Sequence, residues 1–250
     1  MKRSIARCLL VCLAIWRPEC ALAWGTLLLI EAPPKQDTLA IGGTMWSMPR
    51  APDGAHQTAL LTPAIEYDRH DGWFASTEMG LGFNASSSER WQAGLRLWPQ
   101  FGRDRQDASA SQPRLGPRLQ KQLFANGMLG DIALLQSAVS YGSGQSQNGV
   151  QTELGLTSGL PLARGFVGVG LAATYGNRTY RRDYTGIDRA GWSDWSWTVN
   201  VDHRVTAVWH VDAQYQQASV SVRPASAPPG SAAETRVRPY TALLTVWRDL

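Results

Sequence analysis

The chain alternates apolar and polar residues over long stretches. In Gly72–Phe83, "GWFASTEMGLGF", one set is Trp73, Ala75, Thr77, Met79, Leu81 and Phe83; the other is Phe74, Ser76, Glu78, Gly80 and Gly82. Successive side chains of a β-strand point to opposite faces, so this period predicts a single strand with one apolar face. "ALLTPAIEYDR" repeats the pattern, with Leu61, Pro63, Ile65 and Tyr67 opposite Thr62, Ala64, Glu66 and Asp68. "RWQAGLRLWPQF" sets Trp91, Ala93, Leu95 and Leu97 against Arg90, Gln92, Gly94 and Arg96. "SDWSWTVNVDHRV" sets Trp195, Trp197, Val199 and Val201 against Asp194, Ser196, Thr198, Asn200, Asp202 and Arg204. "AVWHVDAQYQQ" sets Trp209, Val211, Ala213 and Tyr215 against His210, Asp212 and Gln214.

The apolar faces end in Trp, Tyr or Phe, as at Trp73 and Phe83 or Trp209 and Tyr215. Aromatic side chains at both edges of an apolar band are the girdles of an outer-membrane barrel. Lipid cannot satisfy a bare sheet edge, so such a sheet must close. A soluble sandwich or lipocalin-like barrel also alternates, but its apolar face would be a core unusually rich in Trp. The expected fold is therefore all-β, an antiparallel transmembrane β-barrel. Its apolar face, including Trp73, Met79, Leu81 and Phe83, is expected to meet lipid.

Connections alternate in length. Short ones are read at Arg69–Asp71, Asn126–Met128, Pro161–Arg164 and Val205–Ala207, and long ones at Met48–Thr58, Gly102–Leu115, Asn177–Ala190 and Arg223–Glu234. Bacterial barrels place short turns in the periplasm and long loops outside. Eleven strands can be counted from Asp37, which is the wrong parity. A further strand near Gly25–Glu31 gives twelve, with ten as the alternative.

The first residues, "MKRSIARCLLVCLAIWRPECALAWG", carry a basic start, a short apolar run and the small residues Ala21 and Ala23. This is the pattern of a cleaved secretory signal over residues 1–23, followed by a single barrel domain over 24–250. All three cysteines (Cys8, Cys12, Cys20) fall in that segment, so no disulfide is expected in the mature chain. Of 24 Lys+Arg and 20 Asp+Glu, the segment takes Lys2, Arg3, Arg7, Arg17 and Glu19, leaving a nearly neutral remainder. That removes the case for a nucleic-acid partner. The localisation expected is the outer membrane of a Gram-negative bacterium.

Little in the chain suggests catalysis. The histidines are His56, His70, His203 and His210. Only His210 points inward, near Asp212, and a lumen polar pair is the reading given to it. No nucleophile–base pattern or metal-ligand cluster is visible, so no catalytic, cofactor or metal residues are assigned. The expected lumen-facing polar set is Glu66, Glu78, Arg90, Arg96, Asp194, Asp202, Arg204, His210 and Asp212. Rings of such charges either tune a channel or fill a narrow one with ion pairs. The loop "NRTYRRDYTGIDR" offers Arg178, Arg181, Arg182 and Arg189. Arginine pairs with phosphate through two parallel hydrogen bonds, so lipopolysaccharide is a candidate partner there, and a solvated loop is the alternative.

At "PAIEYDRHDGWFASTEMGLGFN…RWQAGLRLWPQFGRDRQD" the chain resembles the MipA/OmpV family of outer-membrane proteins. The shared elements are Pro63-x-x-x-Tyr67, Asp71 before Gly80-Leu81-Gly82, and Gly102-Arg103 with Asp107. A later Tyr180…Tyr184-x-Gly186-Ile187 element follows, with Thr185 where the family has Phe. The family's acidic "Gly-Ser-Asp-Asp-Tyr" segment is replaced around Arg50–Thr58. Leu250 stands where a terminal Phe is usual, which implies weaker recognition by the barrel-assembly machinery. The resemblance implies a non-enzymatic barrel. For the family's namesake it implies a scaffold joining a lytic transglycosylase to a murein synthase; other members are treated as porin-like or adhesive.

Overall fold

The computed structural model describes residues 33–50, 57–86, 88, 90–100, 115–116, 118–130, 132–224, 226–228 and 233–250. The expected signal, the strand read at Gly25–Glu31 and the Gly102…Asp107 element lie outside these residues. The strands are β1 Thr38–Pro49, β2 Gln57–Asp68, β3 Trp73–Ser76, β4 Gly80–Asn84, β5 Trp91–Gln100, β6 Arg118–Leu129 and β7 Ala133–Ser143. They continue with β8 Gly149–Leu162, β9 Gly165–Gly176, β10 Gly191–Arg204, β11 Trp209–Val222, β12 Thr235–Val237 and β13 Tyr240–Asp249. One helix, α1 (Arg178–Thr185), lies between β9 and β10.

From β1 to β12 each strand pairs antiparallel with the next, and β13, which also pairs with β11, returns to β1 through pairs such as Thr44↔Thr245. The sheet is thereby a closed barrel. Segments β12 and β13 pair with successive parts of β11, so they are one wall strand interrupted at Arg238-Pro239. The wall has twelve strands.

The twelfth strand comes from inside the barrel sequence. Gly72–Phe83 is a hairpin, with Ser76 paired to Gly80 across the turn Thr77–Met79. Met79 consequently packs inside against Phe74, Phe124 and Ala138, and does not face lipid. Trp73, Leu81 and Leu95 keep the outward face, joined by Leu61, Leu123, Leu171 and Trp195. Arg248, on the outward face, lies 5.9 Å from the centre of the Trp209 ring, so its charge rests on an aromatic at the band's edge.

The glycines of the inward face make room for rings. A Cβ at Gly82 would sit 2.2 Å from Phe74 Cζ, and one at Gly94 would sit 2.6 Å from Phe124 Cζ. The Phe74 and Phe124 rings therefore lie over the strands, filling the space that Gly82 and Gly94 leave. At one end the connections are short: 69–72, 85–90, 130–132, 163–164 and 205–208. The turn read at Asn126–Met128 is a correction. Those residues continue β6, Asn126 faces inward and is buried, and the chain reverses only at Gly130, whose φ is +64°.

Candidate functional site

The lumen is lined by polar side chains that bond to one another across neighbouring strands. At one level Glu78 reaches from the β3–β4 turn across β2 to β1 and β13. Its Oε1 accepts from Thr44 Oγ1 at 2.7 Å and from Thr245 Oγ1 at 2.8 Å, and neither threonine has exposed surface. Next to it, the Nε of Arg96, 4 % exposed, donates to Gln122 Oε1. Gln122 Nε2 donates to Ser140 Oγ at 2.8 Å. Glu153, also buried, is the charge partner of Arg96 and accepts from Gln151 Nε2 at 2.6 Å. Farther round, Thr157 donates to Gln136 and Gln216 donates to Ser196. Several buried polar atoms, among them Arg96 Nη1, Gln120 Nε2 and Asp194 Oδ2, find no partner among the described protein groups. The lumen is thus a packed polar network.

The end with long connections is capped by α1. Asn177 Oδ1 accepts from Tyr180 N at 2.8 Å to start the helix, and Gly186 at φ +75° ends it. Tyr180 and Tyr184 are fully buried against Ala218, Val220, Val222 and Leu115. Asp183 turns inward and accepts from Gln145 N at 2.7 Å. The loop therefore folds into the mouth of the barrel.

The expected arginine contacts divide accordingly. Arg181 is 3 % exposed, 3.6 Å from Glu234 and bonded to the Arg189 carbonyl, so it is a structural group and not a surface one. Arg178, Arg182 and Arg189 stay outside, paired with Asp188, Asp183 and Glu234.

Of the expected lumen set, Glu78, Arg96 and Asp194 sit inside, and Glu66 is half-buried on β2. Arg90 is a correction: it lies in the connection before β5 and is exposed. Arg204 is a second correction, since it is exposed at the rim, 4.0 Å from Asp249. Asp202, His210 and Asp212 come together near that rim, with one ligand atom from each within 4.8 Å of the others. Asp202 faces Asp212 directly across the β10–β11 ladder, a neighbour relation that sequence spacing along one strand does not reveal. His210 Nδ1 is also 3.5 Å from Asp249, and its ring stacks on Trp247. This trio is the one place among the described residues where a cation could be held by three such groups. His70 lies at the same end of the barrel, bonded to Asp37 at 2.6 Å.

No curated protein matches the sequence. Among solved structures, the NanC porin aligns over 85% of this chain and all of its own, with 10% identity and a TM-score of 0.48. An outer-membrane channel from Pseudomonas putida F1 aligns over 88% of this chain and 97% of its own, with 10% identity and a TM-score of 0.40. The outer-membrane protease OmpT from Escherichia coli aligns over 90% of this chain and all of its own, with 11% identity and a TM-score of 0.33. The fold assignment rests on the closed ladder and not on these likenesses. The family described as MltA-interacting protein MipA matches residues 41–224, most of the described barrel, and the chain belongs to that family.

Proposed function

We propose that this protein is a non-enzymatic outer-membrane scaffold that acts through the ends of its barrel and binds a murein-processing enzyme in the periplasm. The observation that carries the reading is the lumen, filled by the Glu78 and Arg96 networks and capped by α1. A barrel closed by its own side chains is suited to anchoring and presentation. The family description, which names an interaction with MltA, supports a murein enzyme as the partner.

The end with short turns supplies a surface. Ile132 is 77 % exposed at the β6–β7 turn, and Leu129, Val205 and Val208 are exposed at turns of the same end. Exposed apolar residues on a turn tip are characteristic of protein contact sites. In this reading short turns suffice, because the contact is made by several turn tips presented by a rigid wall.

The test is a photo-crosslinking residue placed at Ile132 in cells, with Leu244 on the lipid-facing wall as control. A lytic transglycosylase or murein synthase crosslinked from Ile132 and not from Leu244 is the expected result. Identical crosslinks from both positions, or lipid alone from Ile132, would refute the scaffold.

A further inference from the structure

On the outside of the barrel, β11 presents small residues near the end with long connections. Ala218, Val220 and Val222 turn inward onto Tyr180 and Tyr184, so Gln217, Ser219 and Ser221 face outward. On one side, β10 sets Trp197 opposite Gln217 and Trp195 opposite Ser219. On the other side, Tyr240 stands opposite Gln217 and Arg236 opposite Ser221. Arg238 falls between these two. Ala218 N donates to Pro239 O at 3.0 Å, so the register runs unbroken from Val237 to Tyr240 and places Arg238 opposite Ser219. Val237 packs inward on the same core, which turns Arg236 and Arg238 outward, and both are exposed. The result is a shallow trough floored by Ser219 and Ser221. Tryptophans line one side and arginines the other, on strands about 10 Å apart.

The depth of the trough follows from the strand. Trp209 marks the lower edge of the apolar band. From Trp209 to Ser219 is about ten steps along β11, or about 33 Å of strand. At a tilt of about 40° this rises about 25 Å, the height of an outer-membrane apolar band. The arginines therefore stand where hydrocarbon gives way to headgroups. The rings just below them touch in a row. Trp197 lies 5.3 Å from Tyr215, and Tyr215 lies 5.9 Å from Tyr240. Such rings, apolar in body and polar at the tip, settle at a membrane surface.

The arginines expected from the loop are committed elsewhere. Arg178 and Arg182 pair with Asp188 and Asp183. Glu234, two residues before Arg236, serves Arg189 at 2.6 Å and Arg181 at 3.6 Å. Arg236 and Arg238 add positive charge to the wall beyond what Glu234 neutralises.

We infer that the trough binds the phosphorylated sugar headgroup of an outer-leaflet glycolipid, the lipid A part of lipopolysaccharide. Three features select it. Two guanidiniums on one face, two residues apart, offer parallel N–H donors to phosphate oxygens. The serine hydroxyls of the floor and the flat tryptophan faces suit the hydroxyls and ring of a sugar. The outward wall below, with Tyr215, Leu244 and Val246 exposed, takes acyl chains. Free phosphate would use only the first feature. The inference stands whether or not the periplasmic end holds an enzyme.

The test titrates the full barrel in detergent micelles with lipid A, and with the same lipid A stripped of its phosphates, and reads bound glycolipid by native mass spectrometry. Heat-modifiable migration shows that each variant is folded. The double variant Arg236→Ala/Arg238→Ala should bind lipid A about tenfold more weakly. Its binding of the dephosphorylated lipid should match that of the wild type. Arg248→Ala, at the lower edge of the band, should leave lipid A binding unchanged. Equal binding of the two lipids by the wild type, or wild-type affinity in R236A/R238A, would overturn the site. An equal loss in R248A would show attraction by overall charge and overturn it as well. Displacement of lipid A by equimolar inorganic phosphate would overturn the choice of ligand. Should the double variant fail to fold, the two single variants are read in the same way.

Discussion

Removing the Glu78 carboxylate should loosen the whole β3–β4 hairpin. Glu78 Oε1 is held by two hydroxyls, Thr44 at 2.7 Å and Thr245 at 2.8 Å, and those hydroxyls lie 2.9 Å apart. Two protons serve these three contacts, so the carboxylate oxygen takes both and the threonines are left facing each other without one. Hydrogen bonds to a charged acceptor contribute about 1.5–3 kcal/mol each, or roughly 3–6 kcal/mol for the pair. Burying the carboxylate offsets part of this, leaving about 2–4 kcal/mol net for Glu78→Ala. Glu78→Gln keeps an acceptor oxygen and should cost about 1 kcal/mol. The assay is urea unfolding of the barrel in lipid vesicles, read by the heat-modifiable shift in gel migration. Thr44→Val in the Glu78→Ala background should add less than it does alone, since the bond is already gone. Wild-type stability for E78A, within about 0.5 kcal/mol, would show that the hairpin is held by backbone pairing alone and would refute the staple.

Phe124→Ala removes a ring that lies over Gly94 and packs on Phe74 and Met79, and should cost about 3–5 kcal/mol in the same unfolding assay. At the short-turn end, hydrogen bonds from the His70 ring and backbone, aided by Tyr67, hold the Asp37 carboxyl down at about 2, below its ordinary 3.8. Because the folded value is depressed, the contribution of Asp37 is complete above pH 3.8 and lost as the pH falls through about 2. A carboxyl NMR titration should show the low midpoint, and Asp37→Asn should abolish that part of the acid sensitivity.

Alternation along the chain made the barrel legible, because a wall with one wet and one lipid-facing side imposes period two on every strand. The same period concealed the hairpin at Gly72–Phe83. Its three-residue turn pairs Ser76 with Gly80, four positions apart, so odd and even residues keep their faces straight through the reversal. Only Gly80, at φ +83°, marks the bend. The Asn126-Gly127 pair misled in the opposite direction, since a turn signal yielded to the length of strand needed to cross the wall. Helix α1 was hidden by its shortness. Its start at Asn177 and its stop at Gly186 are visible once the loop is known to fold inward. The lumen networks were readable as inward polarity, but not as partners. Glu78 meets Thr245 across 167 residues, and Asp202 meets Asp212 across a ladder, and neither separation leaves a mark in local sequence.

Planar-bilayer conductance of the purified protein tests the central claim most directly, that the barrel is sealed by its own side chains. The packed lumen, with Thr44, Thr245 and Ser140 lacking exposed surface and α1 in the mouth, predicts membranes that stay silent at voltages where open porins conduct. Steady, ohmic channels of porin size would contradict that claim and return the Arg96 and Glu153 network to the role of a selectivity filter.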